Sequence, residues 1–170
     1  MFRPFLAALL LGTLAVPAQA QVNRSGYRLP LELALEAAQE AARHCLANGY
    51  EVSVTVVDSS GVPQVALRTD GATIHTRETS FRKAYTVVTL GPVFRFQTAG
   101  GFAALVARNP ANGAALASVA NVIPLAGAVA FVAHGEIVAA LGVGGAPGGE
   151  RDEACAEAGL ARVRGRLPAP

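Results

Sequence analysis

The chain has 170 residues, 52% of them hydrophobic and only 15% charged, with 14 Lys and Arg against 12 Asp and Glu. A formal charge of +2 supplies no clustered cationic field of the kind phosphate binding requires, which argues against nucleic acid as a partner. Two cysteines are too few to build a structural zinc site, and the length suits one domain around one core.

Residues 1–20, MFRPFLAALLLGTLAVPAQA, place one cation ahead of a short apolar run and end in Ala18-Gln19-Ala20. This is the pattern of a secretory signal peptide cleaved before Gln21, and it predicts a periplasmic or secreted protein. The run is shorter than the ~20 residues of a membrane-spanning helix. No later segment is long and uninterrupted enough to span, so the processed protein is expected not to cross a membrane. Residues 21–28 are expected to be a flexible lead, residues 29–165 the domain and residues 166–170 a frayed tail. Export would carry Cys45 and Cys155 into an oxidising compartment, where either a bridge or two buried thiols is possible.

From Pro30 to Asn48 the apolar residues recur near a 3.6-residue period, with Pro at the first turn and Gly49 beyond the end, which predicts a helix. Val52, Val54 and Val56 then alternate with Glu51, Ser53 and Thr55, as in a half-buried strand. The turn residues Asp58 to Gly61 and the run VPQVALR complete a hairpin. A second helix is expected from about Thr76 to Leu90, capped by Thr76 or Thr73 and stopped by Gly91-Pro92. A third is expected within FRFQTAGGFAALVAR, followed by a loop over Asn109 to Gly113. Two apolar runs around His134-Gly135-Glu136 predict a second hairpin, and a helix from about Glu150 to Arg164 follows the glycine-rich loop GVGGAPGG. The order helix, hairpin, helices, hairpin, helix defines an α+β layer fold with one antiparallel sheet.

The segment DGATIHTRETSFRKAY holds most of the candidate chemistry. Helical spacing gathers Phe81, Ala84, Tyr85 and Val88 on one stripe and Glu78, Thr79, Arg82, Lys83 and Thr86 on a polar face, with His75 aligned to that face. Such a face is either solvated or the wall of a site. His75 is the best candidate metal ligand or acid/base, because imidazole titrates near neutrality and binds borderline metals. His44 and His134 have no partner at ligand spacing, and no multidentate metal motif occurs. The glycine loop could seat a phosphate or carboxylate on free amides, but it lacks the Lys-Ser/Thr of a nucleotide loop and reads more readily as a wide turn. There is no triad-type nucleophile motif.

The runs VSVTVVDSSGVPQVALRTDGA, RKAYT and GEIVAALGVGGAPGGERDEACAEAGL, in that order, resemble the GlcG/HbpS family of small haem-binding proteins. The resemblance covers about Leu29 to Leu160. It implies an α-β-α sandwich with an antiparallel sheet of about five strands, similar to profilin and GAF domains, and a homo-oligomer. It also implies haem as a cofactor, with His75 or Thr76 approaching iron and Arg68, Arg82 or Lys83 pairing with propionates. On the same ground Tyr85, Gly144 and Gly145 are expected to line the pocket. Two rival expectations remain open: an enzyme or carrier for a small organic or aromatic acid, and an oligomeric accessory protein of a sensor system. The segment PLAGAVAFVAHGE lacks the paired glycines common in that family.

Overall fold

The computed structural model describes residues 25–169, so the predicted signal peptide lies outside the described residues. Helix α1, Leu31–Ala47, buries Leu33, Ala34, Ala37, Ala38, Ala41 and Cys45 on one face, the small-residue stripe its sequence period demands. Strand β1, Ser53–Asp58, turns into β2, Pro63–Arg68, through a loop in which the Asp58 carboxylate accepts hydrogen bonds from the Ser60 and Val62 amides at 2.8 and 3.0 Å. Then follow α2, His75–Phe94, α3, Ala99–Arg108, and α4, Pro110–Ala117. Strands β3, Ala128–Ala133, and β4, Glu136–Gly144, form the second hairpin, and α5, Gly149–Val163, closes the domain.

The sheet has four strands in the order β2-β1-β4-β3, and every neighbouring pair is antiparallel. Strand alternation divides the core in two. Val54, Val56, Val65, Phe131, Leu141 and Val143 face α1 and α5, while Val57, Ala128, Ala130 and Ala140 face α2 and α3. The disulfide question resolves in favour of a bridge: Cys45 of α1 and Cys155 of α5 are joined, with Cα atoms 5.5 Å apart.

Five expectations need correction. The sheet has four strands rather than about five. Helix α2 runs through Gly91-Pro92, because proline two residues from the end removes only one late hydrogen bond; the helix stops instead at Arg95, in the left-handed region at φ 58°. Neither Thr73 nor Thr76 caps α2 through its side chain. The segment read as the loop Asn109–Gly113 opens α4, with the Asn109 side chain accepting from the Asn112 amide and Pro at the first turn. The tail is pinned, since Leu167 packs on the core and the Ala169 carbonyl accepts from the His134 amide at 2.8 Å.

Candidate functional site

Helix α2 lies unusually close to the sheet because two β4 residues have no side chain. A Cβ on Gly142 would fall 2.1 Å from the Ser80 carbonyl oxygen, and one on Gly144 would fall 2.5 Å from Thr79 Oγ1 and 3.1 Å from the Thr76 carbonyl. At this separation short hydroxyls bridge the layers. Ser53 pairs with Thr76 at 2.8 Å and Thr55 with Ser80 at 2.8 Å. Thr76 and Ser80 donate their own protons to the carbonyls of Thr73 and Arg77, so the sheet hydroxyls are the donors in both pairs. Thr76 is therefore a buried bridge between layers, 1% exposed, and not a group that can approach an iron atom. Gly144 serves packing and not a ligand.

Lys83 is also inside. Its ammonium pairs with Asp152 of α5 at 2.7 Å and donates to the Val143 carbonyl at 3.0 Å, and both residues are 3% exposed. The second Asp152 oxygen accepts from the Ala146 amide at 2.9 Å. Burial pushes the Asp152 carboxyl up from the usual range, against the opposing pull of Lys83 and of the Ala146 and Gly145 amides. The glycine loop thus holds an anion, but that anion is the protein's own carboxylate. Gly145 sits in that loop at φ 138°, a conformation that favours glycine.

Arg82 lies on the β4–β3 flank of α2. It donates from Nη2 to the Val122 carbonyl at 2.7 Å, while Thr86 accepts from the Ile123 amide at 3.0 Å. Together they clamp the loop ahead of β3; the Arg82 Nε is buried without a partner.

The opposite flank is open. Ala66 and Arg68 of β2 stand directly across from Thr55 and Ser53, so their side chains rise on the face α2 occupies, yet α2 sits chiefly over β1 and β4 and leaves both exposed. The result is a shelf. Its wall is the Arg77, Phe81 and Tyr85 side of α2, with the two rings 5.7 Å apart, and its floor at the edge is Ala66. Tyr85 closes one end by lying on Gly61, where a Cβ would meet the ring at 2.7 Å. At the other end Ser53 joins Arg68 to Thr76, and His75 is the next residue. Arg68 donates to the Ala72 carbonyl at 3.1 Å, and the exposed His75 ring contacts the Thr73 hydroxyl through Nδ1 at 3.2 Å.

Of the eight residues singled out from sequence, the structure brings His75, Arg68 and Tyr85 to this shelf and places Thr76, Arg82, Lys83, Gly144 and Gly145 elsewhere. Sequence reasoning missed Ala66, Phe81 and Arg77 as its lining. The signal for Phe81 and Tyr85 was their common stripe, read as core; the half-exposure of both rings shows that stripe to be the flank of the buried face. Among the described residues no group of three or more His, Cys, Asp or Glu is disposed to hold a metal, and no helix is long and apolar enough to cross a membrane.

These features define an α-β-α sandwich on a four-stranded antiparallel sheet, with helices on both faces and one sheet edge that no other described element covers. The chain belongs to the family described as "Haem degrading protein HbpS-like", whose model matches residues 29–161. It is similar to an HbpS double mutant from Streptomyces reticuli, at 33% identity over 92% of this chain and 97% of that one, with a TM-score of 0.71. A further HbpS structure is 36% identical over 86% of this chain and 97% of that one, with a TM-score of 0.72. A PduOC–haem complex shares the fold at 22% identity over 80% of this chain and 95% of that one, with a TM-score of 0.70. No curated protein matches the chain.

Proposed function

We propose that this protein is an exported haem-binding protein and that the shelf beside α2 receives the porphyrin. One observation carries the reading: an exposed imidazole, His75, stands at the head of an open aromatic ledge that ends in an arginine. The donor set fits the group. In the tautomer that donates from Nδ1–H to the Thr73 hydroxyl, His75 keeps an unprotonated Nε2 for iron. Phe81, Tyr85 and Ala66 offer an apolar surface to a flat ring, and Arg68 and Arg77 offer charge-assisted bonds to propionates. Lys83 and Thr76 are not part of the reading, since both are committed inside the fold. Bound haem would supply iron redox chemistry; the protein's part is to orient the ring and shield one face. Family membership and the haem complex of a fold relative support the ligand class. The bridge between Cys45 and Cys155 supports an oxidising destination.

Haemin titration is expected to give a Soret shift that saturates at a fixed stoichiometry. His75→Ala should weaken binding about tenfold or more, ~1.4 kcal/mol at least, and change the band position. An unshifted wild-type spectrum would end the haem reading. A second reading keeps the same cations for a small organic acid: Arg68 and Arg77 beside His75 suit a carboxylate. Thermal stabilisation by an organic-acid panel, without any response to haemin, would select it. Export is tested by fractionation and by an N-terminus at Gln21.

A further inference from the structure

The two edges of the sheet are treated differently. The β3 edge is guarded: the Ala130 amide donates to the Gln97 carbonyl at 2.8 Å, Thr98 bridges Val129, and the tail takes the His134 amide. Among the described residues the β2 edge is bare. Residues 65 and 67 direct their backbone groups to β1, because the Thr69 amide bonds the Val52 carbonyl and the alternation follows from there, so Gln64, Ala66 and Arg68 direct theirs outward. None of these outward groups has a recorded partner among the described residues. Pro63 does not blunt the edge, since it precedes the outward set.

The neighbouring face of α1 repeats the pattern. Leu31, Leu35, Gln39, Ala42 and Leu46 form one stripe at helical spacing, and the three leucines are 58%, 38% and 45% exposed. A groove of about 380 Å³ runs between this stripe and Leu67, Arg68 and Thr69 of the edge.

We infer that β2 pairs antiparallel with β2 of a second copy about a two-fold axis at Ala66, and that the shelf is half of a site completed by that copy. The register is self-complementary: Ala66 opposes Ala66, and Gln64 opposes Arg68. The spacings agree on both faces. With strands ~4.8 Å apart, α1, which lies over β2 and β1, falls about 5 Å from the axis, so two α1 helices stand about 10 Å apart, a normal packing distance that buries the leucines. On the other face α2 lies over β1 and β4, so the two α2 axes stand about 19 Å apart and leave a trough about 9 Å wide between helices of ~10 Å diameter. Its walls carry Phe81 and Tyr85 twice, and each end carries the His75 and Arg68 of one copy. A planar ligand enters such a trough edgewise and is shielded on both sides.

The inference rests on the proposed shelf for the ligand but not for the interface, and the tests separate them. Light scattering of the wild type is expected to give a dimer or an even multiple. Ala66→Cys should cross-link two copies under mild oxidation, because its Cα atoms would lie about 5.5 Å apart, whereas Ala111→Cys on α4 should not. Leu35→Glu with Leu46→Glu, on an exposed helix face, should halve the mass without loss of helical signal and weaken haemin binding at least tenfold. A monomeric wild type, or a mass unchanged in the leucine variant with no Ala66→Cys dimer, would overturn the interface. A dimer that shows no Soret shift would retain the interface and end the haem reading instead.

Discussion

His75 and Gly142 show how differently two residues of one interface act. His75 is exposed, so its removal should leave the denaturation midpoint within ~0.5 kcal/mol of wild type while ligand affinity falls. Gly142→Ala is the reverse case. The added methyl would meet the Ser80 carbonyl, a backbone atom that cannot rotate away, and urea unfolding should show a loss of about 3 kcal/mol or more. The sequence marked Gly142 and Gly144 as parts of a glycine loop that turns or binds anions. What it could not express is that β4 extends through both, so their absent side chains admit a helix. Thr76 was legible as a polar residue at a helix start, but not as half of a hydroxyl bridge, because Ser53 lies 23 residues away and only the fold joins them.

Among elements, the α2–α5 link depends on one buried ion pair. Lys83→Met strands the Asp152 carboxylate and should cost about 3–5 kcal/mol by chemical denaturation, whereas Lys83→Met with Asp152→Leu should recover most of it. The α1–α5 link at the surface is weaker and pH-dependent. A hydrogen bond from Arg166, opposed by partial desolvation and aided by Arg162, holds the Glu36 carboxyl below its usual value. The carboxyl therefore binds its proton more readily in the unfolded chain. Its stabilising contribution is present above the unfolded value and is lost as pH falls through the folded one. Thermal midpoints of Glu36→Gln and wild type should differ at neutral pH and converge in acid. Most elements were legible because their periods are unmixed: α1 and α5 stand within about a residue of expectation, and both hairpins form within the runs expected to hold them. The failures lie where opposing local signals compete, at Gly91-Pro92 and at Asn109-Pro110, which served as a cap and first turn rather than a break.

For the whole molecule, the open β2 edge was not legible, because no local pattern states which strands end a sheet. The bridge between Cys45 and Cys155 spans 110 residues and restricts the unfolded chain accordingly, by about 5 kcal/mol on loop-closure grounds. Reduction, or Cys45→Ala with Cys155→Ala, should lower the thermal midpoint by well over 5 °C. That bridge ties together only the α1/α5 layer. The other layer has no covalent tie, and among the described helices and strands α4 packs only on α3, with Leu116 turned to the second core cluster. The two faces should therefore unfold on different clocks: amide protons of α1 and α5 exchange with deuterium only through global opening, while those of α4, and then α3, exchange through cheaper local excursions. A sandwich fastened on one side is stiff where it would meet its second copy and compliant on the far flank of α2, away from the ledge.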